Sequence, residues 1–461
     1  MLLYFFYRVL WWLAAPAAVV RLLWRARHHK DYARHIGERF GDALGRPLDD
    51  PAPLLWVHAV SVGETRAAQP LVDAWLAAHP HARILITHMT PSGRAMGEAL
   101  FGARVLRCYL PYDMPFAVRR FLSRYRPALG VMVDTEIWPT LIDVCVRLDV
   151  SLALVNARMS ERSYRAYHRV LKFNPRAAHA LFGRFACVLA QSEADAQRLR
   201  ALGAINAVAN GNLKFDMKTP AALIARGYAW RAAFGERPVW VAASTRAGEE
   251  MRVLEAFRQC GVPSALLILI PRHPQRFDEV AALLAREGWR AVRRTVWAPA
   301  QAEQASSLCD RSSPVPAPLY CNNGVRKCFT PPPLAAEVQV LLGDSMGELG
   351  AYYAAADCAF IGGSLLPFGG QNLIEACALG VPVLIGPHTF NFEQISRDAI
   401  SAGAALRVAN PEALAEAVRA LLTDTPRRTA MGAAALAFAA QHRGATARAM
   451  RTLSASIKKN T

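Results

Sequence analysis

The sequence predicts an α/β protein with two doubly wound parallel sheets. Short apolar runs recur along the chain, and each run ends in polar or glycine residues that lead into a helical pattern. This alternation is typical of parallel strands that are buried on both faces and connected by helices. The pattern stops at a polar stretch, residues 214–226, and then begins again, which indicates two halves of similar size.

Four apolar runs in each half mark the predicted strands. In the first half they are Leu54–Ala59, Ala82–His88, Leu129–Val133 and Leu152–Val155. In the second half they are Val239–Ala243, Ala265–Ile270, Cys358–Ile361 and Val383–Ile385. Ligands of open parallel sheets bind beyond the carboxyl ends of the strands, so two such halves predict a ligand cleft between them.

Composition excludes several classes of protein. With 461 residues, 53% of them apolar and 20% charged, the chain is too hydrophobic to be disordered and long enough for two or three domains. The net charge of +18 predicts an anionic partner. No basic run is interleaved with aromatic residues, so we do not expect nucleic-acid binding. The nine cysteines match no zinc spacing and indicate reduced thiols, so no metal site is predicted.

The N-terminus predicts a membrane anchor. Leu2–Val20 is one apolar stretch, broken only by Arg8 and Pro16, and about 20 residues span a bilayer core. Basic residues follow it, which predicts a cytoplasmic location for the rest of the chain. The alternative is a buried helix of the first domain. A second irregular segment, Ala300–Pro333, is rich in serine and proline and is interpreted as a loop.

The second half contains a glycine-rich segment suited to an anionic ligand. Phe360–Glu375 passes from a strand through two glycine pairs to a helix predicted to open at Gln371. Glycines allow backbone N–H groups to approach an anion, and a carboxylate such as Glu375 can accept from a sugar diol. A plain glycine-rich loop is the alternative. Arg272 follows another predicted strand, where a guanidinium can hold a phosphate.

Acidic residues follow two strands of the first half. Glu64 comes after the first strand and would serve either the cleft or the first turn of a helix. Asp134 and Glu136 follow the third strand and would face the same way in an extended segment. Neighbouring like charges raise one pKa, which suits proton transfer, although solvated turn acids would look the same. Lys214 is one of few lysines and lies in an apolar context, so it is either a required point charge or a surface residue.

Eight motifs together resemble one known family. They are VHAVSVGET, TEIWPT, NARMSERSY, GNLKFD, IPRHPQRF, GDSMGELG, IGGSLLPFGGQNLIEA and GPHTFNF. In this order the chain, to roughly residue 440, resembles the 3-deoxy-D-manno-octulosonic acid (Kdo) transferases of lipopolysaccharide biosynthesis. The resemblance implies a GT-B glycosyltransferase fold: two Rossmann-like domains facing a central cleft, with an N-terminal membrane-anchor helix. The implied segments are an anchor at 1–22, an acceptor domain at 23–222 and a nucleotide-sugar domain at 223–455.

The resemblance also implies an activity, a location and a set of site residues. The activity is inverting transfer of Kdo from CMP-Kdo to the lipid A precursor lipid IVA, without metal or cofactor, on the cytoplasmic side of the bacterial inner membrane and in contact with its lipid. Glu64 matches the catalytic base, and Asp134, where the family more often has Glu, joins Lys214 in transition-state stabilisation. The segments matched to CMP contacts are Pro271, Arg272, Met346, Gly347, Glu348, Asn372, Leu373, Ile374 and Glu375. Alternatives are another GT-B enzyme with a UDP-sugar donor and a non-enzymatic basic membrane protein.

Overall fold

The chain forms two compact units, each built on one parallel sheet. The computed structural model describes residues 2–28, 30–41, 52–298, 319–322, 325–328 and 331–457. One unit comprises Met1–Met217 with His442–Thr461, and the other comprises Lys218–Gln441. Each unit has a seven-stranded sheet, which confirms the prediction of two Rossmann-like domains. The first unit ends at Met217, before the expected limit at 222. The second unit ends at Gln441, before the expected limit at 455, because the last helix belongs to the first unit.

The first unit has the strand order β3-β2-β1-β4-β5-β6-β7. Its strands are β1 Leu54–His58, β2 Arg83–His88, β3 Leu106–Tyr109, β4 Leu129–Val133, β5 Ser151–Ala157, β6 Cys187–Ala190 and β7 Ala207–Ala209. Its helices are α1 Leu2–Ala26, α2 Val62–Ala78, α3 Pro91–Phe101, α4 Pro115–Tyr125, α5 Pro139–Arg147, α6 Glu161–Leu171, α7 Pro175–Phe182, α8 Glu193–Ala201 and, from the C-terminus, α18 Ala445–Ile457. The strand order reverses between β1 and β4, and such a switch point is where open sheets bind ligands.

Both faces of the first sheet are covered. Trp56 packs into one hydrophobic cluster and its neighbour Val57 into another, because successive side chains of a strand point to opposite faces. Helix α18 contributes Ala449 and Leu453 to the second cluster. The sheet is therefore held between two helical layers, and the polar residues Glu64, Asp134 and Glu136 lie beyond its strand ends rather than on its faces.

Helix α1 packs against the first unit along one side. Ala15 and Leu22 are buried in a small cluster with Tyr112, and the hydroxyl of Tyr7 donates to Asp113 at 2.8 Å. The other side of the helix exposes large apolar residues, which are Val9, Leu10, Trp12, Leu13, Val20, Leu23 and Trp24. By length and composition the helix could cross a membrane, with a mean hydropathy of 1.3 over Tyr7–Ala26. One side of α1 thus packs against the first unit, and the opposite side exposes apolar residues.

The second unit repeats the architecture with the order β10-β13-β9-β8-β14-β15-β16. Its strands are β8 Val239–Thr245, β9 Leu266–Pro271, β10 Ala291–Arg293, β13 Val340–Leu342, β14 Cys358–Ile361, β15 Val383–Ile385 and β16 Ala405–Arg407. Its helices are α9 Ala221–Phe234, α10 Glu249–Gln259, α11 Phe277–Arg286, α12 Arg294–Trp297, α13 Leu349–Ala354, α14 Ile374–Ala378, α15 Glu393–Ser401, α16 Pro411–Thr423 and α17 Thr425–Gln441.

The segment Ala300–Pro333, interpreted from the sequence as a loop, contains two antiparallel strands. They are β11 Leu319–Asn322 and β12 Val325–Cys328, paired with Leu319 opposite Cys328. The loop interpretation is wrong for these two stretches. Residues 300–318, 323–324 and 329–330 of this segment lie outside the described residues.

Candidate active site

Glu64 lies in the first turn of α2, just beyond the end of β1. Ser61 adopts an extended conformation and forms a capping box with it, in which the Ser61 N–H donates to Glu64 Oε2 at 3.0 Å. Burial raises the pKa of Glu64, Asp134 raises it further, and the hydrogen bonds from the turn oppose the shift. Glu64 therefore has the helix-capping role, and the cap fixes a carboxylate that burial makes more basic.

Asp134 follows β4 and takes a left-handed backbone conformation, with a φ of 63°. The expectation of an extended segment from Asp134 to Glu136 is wrong, since the chain turns here. Asp134 N–H donates to the Val155 carbonyl at 2.9 Å, and Asp134 Oδ1 accepts from Asn156 Nδ2 at 2.6 Å. Asp134 is thus fastened to the neighbouring strand by both backbone and side chain.

Glu136 completes a group of three carboxylates. Burial raises the pKa of Glu136 to about 7, and Coulombic repulsion from Glu64 is the next cause. The Trp138 indole N–H donates to Glu136 Oε2 at 2.8 Å and opposes that shift. The structure therefore brings Glu64 together with Asp134 and Glu136, of which the sequence had paired only the last two. At neutral pH the group holds a proton on Glu136 for part of the time.

Lys214 lies in a short 3₁₀ turn, Leu213–Asp216, whose other residues anchor it. Asn212 Oδ1 accepts from the Lys214 N–H at 3.0 Å. The Asp216 carboxylate accepts from the N–H groups of Gly444 and Thr446 at 2.6 Å each, at the start of α18. The backbone of this lysine is therefore held on both sides, and its half-buried side chain extends from a rigid turn.

The glycine-rich loop of the second unit already holds an anion from the protein itself. Glu249, with none of its surface exposed, accepts from the N–H groups of Gly363, Ser364 and Leu365 at 2.6, 2.9 and 2.9 Å. The expectation that the first glycine pair presents these groups to a ligand is therefore wrong. The helix beyond the second pair begins at Ile374 instead of Gln371 and has five residues.

Arg272 lies at the carboxyl end of β9 among other cations. Its N–H donates to the Thr245 carbonyl at 3.0 Å, and its side chain is exposed. Arg246 Nη1 lies 2.8 Å from His273 Nε2. Burial lowers the pKa of His273, and the charges of the nearby arginines lower it further. Arg276, in contrast, is neutralised by Glu250, with 3.1 Å between Nη2 and Oε2. The strand ends thus present a surface suited to a phosphate.

The other predicted nucleotide contacts divide into exposed and buried residues. Met346 and Gly347 are exposed, whereas Pro271, Glu348, Leu373 and Ile374 are buried. The Glu348 carboxylate is held by Arg226 at 2.7 Å and by Arg294, so its side chain serves the structure of this unit. Asn372 Nδ2 donates to Glu375 Oε1 at 3.3 Å, which brings these two predicted residues together beside α14.

Sequence reasoning missed Glu249, Arg246 and Asn156. Asn156 and Asp134 share one detectable signal, because Asn and Asp at strand ends favour the left-handed conformation that both adopt. Within the described parts of the chain, no group of three His, Cys, Asp or Glu side chains is arranged to hold a metal ion.

Comparison with known proteins identifies the family. Residues 34–217 match the model described as 3-deoxy-D-manno-octulosonic-acid transferase, and residues 333–438 match glycosyl transferases group 1. The chain is 44% identical over 428 residues to the 3-deoxy-D-manno-octulosonic acid transferase of Bordetella pertussis, covering 90% of each chain. It is 33% identical to the Haemophilus influenzae enzyme of the same name, covering 93% of each.

Solved structures with low sequence identity share the fold. An Anabaena protein solved with UDP covers 87% of this chain and all of its own, with a TM-score of 0.55 and 14% identity. The UDP-GlcNAc 2-epimerase of Neisseria meningitidis gives a TM-score of 0.55 at 12% identity, over 87% of this chain and 99% of its own. These likenesses show the fold alone and agree with the predicted GT-B class. From its sequence relatives, the chain belongs to the 3-deoxy-D-manno-octulosonic acid transferase family and is a glycosyltransferase.

Proposed function

We propose that this enzyme transfers Kdo from CMP-Kdo to lipid IVA with inversion at the anomeric carbon. The relatives named as Kdo transferases support the sugar, and the motif resemblance supports the donor and acceptor. The observation that carries the proposal is Glu64, a carboxylate of raised pKa at the end of β1 beside two further acids. A partly buried carboxylate of this kind is suited to accept a proton near neutral pH.

Glu64 takes the proton of the attacking hydroxyl group. A sugar hydroxyl is a poor nucleophile at neutral pH, and in-line displacement of CMP requires one base. The raised pKa makes Glu64 a stronger base than an exposed glutamate, while the Ser61 N–H fixes its orientation. Burial raises the pKa of Glu136 to about 7, and protonation of this residue would reduce the negative charge that surrounds the base.

Asp134 and Lys214 stabilise the transition state in the same unit. Negative charge is leaving with the nucleotide while positive charge grows on the sugar, so fixed charges of both signs lower the barrier. Asp134 Oδ1 is bonded to Asn156, so this charge does not have to be ordered when substrate binds, and the backbone from which the Lys214 side chain extends is held by Asn212. This preorganisation supports their assignment.

The second unit binds the nucleotide. Arg272 provides positive charge for the CMP phosphate at the carboxyl end of β9, where Arg246 adds a second guanidinium nearby. Glu375, oriented by Asn372, accepts from the ribose hydroxyls. Met346 and Gly347 contribute exposed backbone, and the buried members of the predicted set shape the site through packing.

The enzyme works at the cytoplasmic face of the bacterial inner membrane, where α1 anchors it. The exposed apolar residues of α1 support a contact with lipid, and the basic residues that follow support the cytoplasmic orientation. This location gives the enzyme access to an acceptor that carries both acyl chains and phosphates.

The experiment is a donor screen with purified full-length enzyme and lipid IVA, without added metal. We expect mass spectrometry to show Kdo added from CMP-Kdo, and transfer from UDP-sugars instead would favour the alternative GT-B activity. Glu64→Gln should lower turnover by at least ~10²-fold, the usual contribution of a general base, with CMP binding retained. Glu98→Gln, at an exposed position on α3, is the control. Near-normal turnover in Glu64→Gln would remove this residue from the role of base.

A further inference from the structure

We infer that Asn156 is a positioning residue that holds Asp134 and the turn carrying Lys214 in one fixed arrangement. The inference rests on the proposed function, which gives those two residues their roles. The Asn156 side chain is fully buried; its Nδ2 donates to Asp134 Oδ1 at 2.6 Å, and its Oδ1 accepts from the Leu213 N–H at 3.0 Å. One amide group thus joins two segments far apart in sequence.

The orientation of this amide follows from its partners. The carboxylate of Asp134 accepts hydrogen bonds, and the backbone N–H of Leu213 donates one. A reversed amide would place its oxygen against the carboxylate and its N–H₂ group against the N–H. Both contacts would be lost, so the amide of Asn156 fits in only one orientation. A carboxylate, which has two acceptor oxygens and no donor, would not replace it.

A second path leads from Asn156 to Lys214 through Gln191. The backbone carbonyl of Asn156 accepts from Gln191 Nε2 at 2.9 Å, and Gln191 Oε1 accepts from Asn212 Nδ2 at 3.0 Å. Asn212 Oδ1 then accepts from the Lys214 N–H at 3.0 Å. Three hydrogen bonds through the side-chain amides of Gln191 and Asn212 therefore connect the end of β5 to the backbone of the lysine, in addition to the direct contact at Leu213.

Backbone geometry supports a requirement for asparagine here. Asn156 has a φ of 59°, and the pairing of β5 with β6 shifts register between Val155 and Ala157, so Asn156 occupies an irregularity that turns its side chain out of the strand pattern. Glycine adopts such a conformation without steric cost. An asparagine with both ends of its amide bonded indicates that the side chain, and not only the turn, is needed.

Asn156 would act on the rate rather than on binding. It does not need to touch substrate, because it sets the position of Asp134 relative to the turn bearing Lys214. Groups that stabilise a transition state must be held in the productive geometry before reaction, and small displacements are costly. Loss of Asn156 should therefore lower kcat and leave the KM values for both substrates largely unchanged.

The first test compares Asn156→Ala with Asn206→Ala in the full chain. Asn206 Nδ2 donates to the carbonyls of Phe185 and Ala186 at 2.8 and 2.9 Å, just before β6 and away from the acids. We expect kcat to fall about 10²-fold in Asn156→Ala, the scale of a misplaced catalytic group, with KM values within about threefold. Asn206→Ala, an exposed position that also loses two side-chain hydrogen bonds, should keep kcat within about twofold.

The second test uses Asn156→Asp and the pH profile. In that variant a protonated carboxyl group can donate to Asp134, whereas an ionised one repels it and adds charge beside Glu64, Glu136 and Lys214. The ratio of its kcat to that of wild type should rise about tenfold or more from pH 8 to pH 6, because neighbouring carboxylates share a proton. Asn156→Ala, which loses the same contacts without gaining a titratable group, should show no such pH-dependent recovery.

The outcomes separate the inference from the proposed function. If wild type transfers no Kdo in this assay, the proposed function fails. If wild type transfers Kdo but Asn156→Ala matches Asn206→Ala in kcat, or the Asn156→Asp ratio does not change with pH, the positioning role is overturned. Failure of both Asn156 variants to fold, with Asn206→Ala folded, would also overturn it, since the residue would then be structural.

Discussion

Replacing Glu249 by glutamine is predicted to loosen the glycine-rich loop of the second unit. Glu249 Oε1 accepts from the N–H groups of Ser364 and Leu365, and Oε2 accepts from those of Gly363 and Arg246, all between 2.6 and 3.1 Å. A glutamine side chain has one acceptor oxygen. It can therefore serve one of these pairs, and its N–H₂ group would face the two donors of the other pair.

The size of the effect follows from the two hydrogen bonds that are lost. Bonds to a charged acceptor each contribute about 1.5–3 kcal/mol to folding. The Arg246 N–H lies near the surface, where water can replace the lost contact, so we expect about 3 kcal/mol in total. For a unit of this size, 1 kcal/mol shifts Tm by about 2–4 °C, so Glu249→Gln should lower Tm by about 6–12 °C. The Gly363 amide should exchange its hydrogen about 10²-fold faster.

The assay combines thermal unfolding with hydrogen exchange of the loop, measured on the full chain. Glu255→Gln is the matched control, because Glu255 is an exposed residue of the same helix, and surface changes alter stability by about 0.5 kcal/mol or less. Equal Tm values and equal loop exchange in the two variants would refute the conclusion that Glu249 holds the loop.

Three further predictions concern charge and membrane contact. Folding raises the pKa of Glu136 from 4.5 to about 7, so the folded state favours the protonated carboxyl group. This preference contributes fully to the free energy of unfolding below pH 4.5, and the contribution is lost as the pH rises through 7. Glu136→Gln should therefore stabilise the protein by about 1–3 kcal/mol more at pH 8 than at pH 5 in urea unfolding, and equal gains would contradict this. Arg272→Ala should weaken CMP binding by about 1.5–3 kcal/mol in calorimetry, whereas Arg252→Ala, exposed on α10, should not; unchanged affinity in the first would count against the phosphate contact. Leu13→Glu, at a position 73% exposed on α1, should reduce the membrane-bound fraction at high salt while the circular dichroism spectrum is kept; undiminished pelleting would exclude this side of the helix from lipid contact.

The sequence was sufficient for strands that form continuous apolar runs. Leu129–Val133, Cys358–Ile361 and Val383–Ile385 have the predicted bounds, because each is buried throughout and bordered by polar or small residues. Short strands such as Leu106–Tyr109 and Ala405–Arg407 were missed. They lie at the edges of their sheets or have exposed positions, so their composition differs little from that of a loop.

The site was predictable where chemistry follows position in a parallel sheet. Glu64, Asp134 and Glu136 follow predicted strands, so all three could be assigned to the edge where parallel strands end, but the sequence did not show that β1 and β4 are neighbours. The sequence did not predict that Glu249 would bind the backbone of the glycine-rich loop. Glu249 is 114 residues from Gly363, and nothing in the local pattern of α10 distinguishes it from an ordinary acid in a first helical turn.

The attachment of α18 to the first unit has a consequence for biosynthesis. All seven strands of that unit have been synthesised once Ala209 is made. The partners of Asp216, Gly444 and Thr446, are made much later, as is Leu453, which packs on one face of the sheet. At ~5–20 residues per second, the roughly 240 intervening residues take about 10–50 seconds to synthesise. During that interval the turn bearing Lys214 lacks its anchor and apolar sheet surface is uncovered. Exposed apolar surface favours aggregation, so the first unit is most vulnerable to misfolding before α18 has been synthesised.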